Sequence, residues 1–262
     1  MQAADRRRKT RRMLLPAAVT PAKRRADTTA RFGSMNDISN DAIIRMFHVH
    51  RRYGSKFALQ DVTLDIYKND YLFVTGPSGA GKTTLLKLLY LGQALSEGQI
   101  LVDGVNISRI KRSGIPPLRR KFGIIFQDYK LIPTKTVFEN VALVLEAAGR
   151  KPRLIEKKVR SVLRTVAMED RMKSLPPSLS GGEQQRVAVA RAVVGDPKII
   201  LADEPTGSLD SESAGVIMAF LDDFHSRGAT IILATHDKEL IKKSGTRVVH
   251  LRDGRLISNT SI

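Results

Sequence analysis

The chain has 262 residues, 42% of them apolar and 27% charged. That balance excludes collagen-like, mucin-like and wholly disordered chains and leaves room for one large domain. Cysteine is absent, which excludes disulfide frameworks, thiol nucleophiles and thiolate metal sites. No apolar run approaches the roughly 18 residues that cross a bilayer, and the longest, such as Ile199 to Ala202 and Thr230 to Ala234, read as buried strands.

The net charge of +18 would on its face point to nucleic acid or anionic lipid. It is unevenly spread. Residues 1 to 34 hold ten Lys/Arg against two acids, a surplus of +8, which leaves +10 on the other 228 residues. This first stretch has no sustained apolar periodicity and too little apolar surface to offset its ordering entropy, so it is expected to be disordered, the basic extension as a whole running to residue 42. It lacks the roughly 7 to 15 residue apolar stretch of a secretory signal. Three explanations stand open: translation that begins at Met35, a basic tether for lipid or nucleic acid, or a targeting segment.

From Ile43 the pattern becomes regular. Strands are expected at 43–49, 58–66 and 71–75, then a Gly-rich turn and a helix from Gly81 to Leu91. Short strands follow at 98–102 and 122–126. Two helical segments come next, the second marked by Ile155, Val159, Val162, Leu163 and Val166 at helical spacing, with Lys157, Lys158, Arg160 and Arg164 opposite. Beyond Pro176 and Pro177 come a helix over about 181–194, a strand at 198–202, a helix at 211–226, a strand at 229–234, a helix at 237–244 and a closing hairpin. Strands alternating with helices predict a mostly parallel α/β sheet.

The run Gly76, Pro77, Ser78, Gly79, Ala80, Gly81, Lys82, Thr83, Thr84 fits G-x-x-x-x-G-K-[ST] between a predicted strand and a predicted helix, the context of a true phosphate-binding P-loop. The glycines let backbone N–H groups curl around a β-phosphate, and the helix N-terminus adds positive potential. Lys82 then reaches the β- and γ-oxygens, the Thr83 hydroxyl can ligate Mg²⁺, and Thr84 can touch the α-phosphate. In "KIILADEP" the acids Asp203 and Glu204 close an apolar run, at the carboxyl edge of a buried strand. Two acids there are costly without a task. The pattern predicts Asp203 on Mg²⁺ through water and Glu204 as the general base that polarises an attacking water.

A P-loop alone leaves kinases, GTPases, helicases and transport ATPases open. "LSGGEQQR" at Leu179 to Arg186 resembles the signature of ATP-binding-cassette ATPases, and Gln127 in "IIFQDYKLIP", Asp203-Glu204, Ser208-Leu209-Asp210 and His236 in "ATHD" follow that family's order. The resemblance spans about residues 43–258, and the spellings around Gln127 and Asp203 look most like the FtsE group of cell-division cassettes. The fold so implied is a P-loop NTPase core over residues 43–262, with an antiparallel β subdomain and an inserted helical subdomain at about 128–180.

Ser180, Gly181 and Gly182 read from the residues as a helix N-terminus shaped for an anion. The resemblance implies that this tip meets the P-loop of a second copy, so that a twofold homodimer sandwiches two ATP molecules. It also implies that Gln127 contacts Mg²⁺ or the attacking water and couples nucleotide state to movement. His236 would bond the γ-phosphate and orient the water beside Glu204. Tyr53, 23 residues before Gly76, would stack on adenine, with Phe57 as the nearby competitor. Ser208 stands where close relatives often have Asn, and still offers a hydroxyl near the dimer seam. The implied partner is an FtsX-like transmembrane protein that docks around Tyr129 to Asn140, with the chain peripheral on the cytoplasmic face of the bacterial inner membrane and no specific nucleic acid involved. The competing function is the ATPase of a lipoprotein-releasing or macrolide-type exporter. His48, His50, His225 and His250 show no metal-ligand spacing and read as packing or surface residues.

Overall fold

The computed structural model describes residues 41–237, 240–241 and 246–261. The expected disorder at the N-terminus lies outside them, as does most of the helix expected over 237–244. The other expected elements are present: β1 Ala42–Tyr53, β2 Lys56–Tyr67, β3 Tyr71–Thr75, α1 Lys82–Leu89 and β4 Glu97–Val102 open the chain. After β5 Val105–Asn106, α2 Ile115–Arg119 and β6 Phe122–Ile125 come α3 Val137–Ala147, α4 Pro152–Thr165 and α5 Gly181–Val193. The C-terminal part holds β7 Ile199–Asp203, α6 Ser211–Ser226, β8 Thr230–Ala234, β9 Arg247–Arg252 and β10 Arg255–Ser261. The two-residue β5 and the five-residue α2 went unpredicted, since pieces this short show no period.

The strands form two sheets. The smaller has the order β2-β1-β4-β5 and is antiparallel throughout. The larger runs β10-β9-β3-β8-β7-β6, parallel except for the edge strand β10. Its central strands are buried on both faces, so they read as unbroken apolar runs. Side chains alternate all the same: Leu72 and Val74 of β3 join a core with α1 and the small sheet, whereas Tyr71 and Phe73 join a core with α3, α4, α5 and α6.

The helices start for local reasons. Thr136 and Glu139 form a capping box at α3, in which the Thr136 hydroxyl accepts from Glu139 N at 3.2 Å and the Glu139 carboxylate accepts from Thr136 N at 2.7 Å. In α4 the buried Ile155, Val159 and Leu163 lie one turn apart, while Lys157, Arg160 and Arg164 face solvent, as the periodicity predicts.

Register aligns the functional ends of the large sheet. Val74 of β3 and Asp203 of β7 both pair with Ala234 of β8, and Ile125 of β6 pairs with Ala202. The segments that begin at Gly76, Glu204, Thr235 and Phe126 therefore leave one edge side by side. This is the carboxyl edge at which open α/β sheets bind ligands.

Candidate active site

The P-loop leaves β3 through two glycines that only glycine can fill. Gly76 has φ 144° and Gly81 φ 107°. A Cβ on Gly76 would stand 2.2 Å from the Leu251 carbonyl oxygen, and one on Gly81 2.6 Å from that of Ala58. Lys82 opens α1 and is buried, its Nζ donating to Gly76 O at 2.9 Å and to Pro77 O at 3.3 Å. The loop thus wraps around its own ammonium group.

Across the sheet edge, the Thr83 hydroxyl donates to Asp203 Oδ1 at 3.1 Å. Burial pushes the Asp203 carboxyl above the usual carboxylate range, and the neighbouring Glu204 charge adds to the rise, while the Thr83 hydrogen bond opposes it. A hydroxyl and a desolvated carboxylate in contact are a donor set suited to a hard cation such as Mg²⁺.

Glu204 follows with φ 48°, its backbone N–H donating to Ala234 O at 2.9 Å. This left-handed turn directs the side chain toward Lys82, whose Nζ is 3.7 Å from Oε1. The Glu204 side chain is 12% exposed, and His236, 72% exposed at the mouth, stands with Nδ1 3.0 Å from both carboxylate oxygens. Ala58, Pro77 to Thr84, Gln127, Glu204 and His236 line one cavity of about 510 Å³. A second hollow of about 560 Å³, beside the end of α3, has an apolar floor rimmed by Arg119, Arg120, Arg150, Lys158 and Arg191 and holds none of these groups.

Tyr53, expected on adenine, and the Ser180 to Gly182 tip, expected on the site of a second copy, lie outside this lining. Tyr53 is 44% exposed and outside the cavity lining; its hydroxyl donates to Gln93 Oε1 and the Arg51 guanidinium lies 4.5 Å from its ring centre. Phe57 is occupied by Arg52, 4.6 Å from its ring centre, and by His50. Ser180, Gly181 and Gly182 also lie outside the lining. They begin α5, where the Ser180 hydroxyl accepts from Glu183 N at 3.2 Å and Glu183 Oε2 accepts from Ser180 N at 2.8 Å. The backbone bond from Ser180 holds the Glu183 carboxyl below its ordinary range. Glu183 was missed in the sequence, although Ser180-x-x-Glu183 spells a capping box.

Tyr129, expected on a docking surface, is half-buried, its hydroxyl 3.0 Å from Oγ of the exposed Ser208. Val137 and Asn140 are buried, and Asn140 Nδ2 donates to the carbonyls of Ile132, Lys135 and Thr136. Of the expected stretch 129–140, Lys130, residues 132–134 and Glu139 are exposed. His250 and His225 pack as expected, against the Thr75 hydroxyl and the Asn69 carbonyl.

The ABC transporter family model matches residues 59–207. The cell division ATP-binding protein FtsE of Bacillus subtilis (strain 168) is 42% identical over 221 residues, 84% of this chain and 96% of the relative. That of Escherichia coli (strain K12) is 44% identical over 215 residues, 82% and 97% of the two chains. Among solved structures, a dimeric ATP-binding cassette in a post-hydrolysis state bound to ADP and Pi matches with a TM-score of 0.77 at 32% identity, over 83% of this chain and 98% of that one. The chain that carries this cavity and these matches belongs to the ABC transporter family of ATP-binding-cassette ATPases, within its FtsE group of cell-division ATP-binding proteins.

Proposed function

We propose that this ATPase is the nucleotide-driven subunit of an FtsEX-like membrane complex, in which ATP closes a homodimer and hydrolysis reopens it to drive a transmembrane partner in cell division. The observation that carries the chemistry is Glu204, nearly buried, between Lys82 and His236 in the cavity that the P-loop lines.

In this reading the backbone of Gly76 to Thr84 cradles the phosphates, and Lys82 exchanges its loop carbonyls for β- and γ-oxygens. Thr83 and Asp203, with Gln127, would hold Mg²⁺, which when bound neutralises charge on those oxygens. Glu204 accepts a proton from water as the water oxygen bonds to the γ-phosphorus and the bond to the β–γ bridging oxygen breaks, leaving ADP and inorganic phosphate. His236 donates from Nδ1 to Glu204 and keeps its carboxylate aimed at the water. Tyr53 swings from Gln93 onto the adenine.

The tip Ser180 to Gly182 completes the site of the second copy. Its place outside this chain's own cavity supports that division, and the neighbour cassette is dimeric in its ADP and Pi state. No helix among the described residues is long and apolar enough to cross a membrane. In the proposed complex the chain sits peripherally on the cytoplasmic face of the bacterial inner membrane, its helical subdomain at about 128–180 beside an FtsX-like protein and the exposed residues 132–134 on the docking side.

Affinity capture of the full chain from detergent-solubilised membranes of its own host tests the assignment. A four-span FtsX-like protein is the expected companion. Recovery of a lipoprotein-releasing or macrolide-exporter membrane subunit in its place refutes the division role and leaves the ATPase chemistry standing.

A further inference from the structure

Two residues beyond Gln127 the backbone takes a form that side chains disfavour: Tyr129 has φ 56° and Lys130 φ 51°. Consecutive residues of this kind persist only where their surroundings hold them. Arg191 of α5 is the holder, donating from Nη2 to Tyr129 O and from Nη1 to Lys130 O, each at 2.5 Å. The bend points the half-buried Tyr129 ring at the start of α5. A Cβ on Gly181 would stand 3.1 Å from the Tyr129 hydroxyl, so glycine there leaves just enough room for it. The same oxygen is 3.0 Å from Ser208 Oγ. One phenolic oxygen of the Gln127 loop is therefore bonded to the loop that follows Glu204 and faces the Ser180 to Gly182 tip.

The geometry points to Tyr129 as a positioning residue that couples the two nucleotide sites of the dimer. This rests on the reading above, in which each chain offers Gln127 to its own nucleotide and Ser180 to Gly182 to that of its partner. Tyr129 stands between the two: it is two residues from Gln127 in the chain, and its hydroxyl faces Gly181 of the tip, where an added Cβ would stand 3.1 Å away. Because Arg191 ties the Tyr129 backbone to α5, displacement of Gln127 by nucleotide is passed through Tyr129 to α5 with its tip and to the Ser208 loop, so occupancy of one site alters the geometry offered to the other. A ring that merely packs needs its carbons. A coupling residue needs its oxygen.

Tyr129→Phe keeps the ring and removes that oxygen, and Ser208→Ala removes its hydrogen-bond partner at an exposed position. ATP hydrolysis is measured against ATP concentration for the full-length parent, both single variants and the double variant, alongside thermal midpoints. The parent is expected to have a Hill coefficient above one that falls toward one in each variant. Each single should lose about fivefold in kcat, the scale of one neutral hydrogen bond, with KM and midpoint unchanged. The double should be no slower than either single, since both act through one bond. A parent Hill coefficient of one, a parental kcat in Tyr129→Phe, losses that multiply in the double, or a kcat loss tracked by a fallen midpoint each overturns the coupling. If Tyr129→Phe folds poorly, Ser208→Ala decides alone, and unchanged kcat there refutes the proposal. Glu204→Gln in the same assay separates the two levels: turnover retained in it sinks the active-site reading itself, whereas turnover lost in it beside an indifferent Tyr129→Phe sinks only the coupling.

Discussion

Glu204→Gln replaces the proposed base by an amide of the same shape. The side chain is nearly enclosed and accepts from His236 Nδ1 at 3.0 Å, a bond that the amide oxygen can keep. Three effects follow, and they act on different steps. Loss of the general base costs about 10² to 10⁴ in rate, or about 3 to 5 kcal/mol of barrier. Loss of the carboxylate also frees Lys82 from a partner 3.7 Å away, a pair worth about 4 kcal/mol at an effective dielectric near 20. It removes a negative charge from the neighbourhood of an incoming γ-phosphate as well. Binding therefore holds or tightens while turnover collapses, and the ATP-closed dimer should accumulate. Phosphate release gives the rate, and size-exclusion chromatography with and without ATP gives the dimer. A Gln variant that releases phosphate at the parental rate, or one that fails to bind ATP, refutes the role assigned to Glu204.

Lys82→Ala should act on affinity first, because it removes the ammonium group that the loop is wrapped around; charge-assisted bonds of about 1.5 to 3 kcal/mol correspond to roughly 10- to 100-fold weaker ATP binding, measurable by titration calorimetry. Asp203→Asn should raise the thermal midpoint at pH 7 without nucleotide, since burial and the Glu204 charge raise the Asp203 carboxyl in the folded state. An acid raised in this way weakens folding as pH climbs from the unfolded carboxylate value through the folded one, so the gain over the parent should narrow as pH falls toward that range. The same variant should lose the stabilisation that Mg²⁺ and ATP together give the parent, and a midpoint equal to the parent's at pH 7 contradicts the desolvation argument.

Most of the fold was legible because its signals are local. The apolar runs of β3, β7 and β8 are continuous since those strands are covered on both faces, and the four-residue spacing of Ile155, Val159 and Leu163 marks the buried stripe of α4. The P-loop residues could be listed from their spelling, since a cradle of backbone N–H groups depends on glycines at fixed positions in one short stretch. The capping box of Ser180 and Glu183 was equally local and was passed over in favour of the anion reading of the tip.

Motif order and the family resemblance already assigned Thr83, Asp203 and His236 to one site, but not how they meet there. Thr83 and Asp203 lie 120 residues apart, and the strand order β3-β8-β7 is what brings the segments that carry them to one edge with His236 beside them. The bend at Tyr129 could not be read, because it depends on an arginine 62 residues away and on the room that Gly181 leaves. Residue types and spacing thus determined which chemical groups this protein carries and which short segments present them. Tertiary structure alone decided which groups touch, because contact between distant segments is set by sheet register and by the packing of the two cores, quantities that no stretch of local sequence contains.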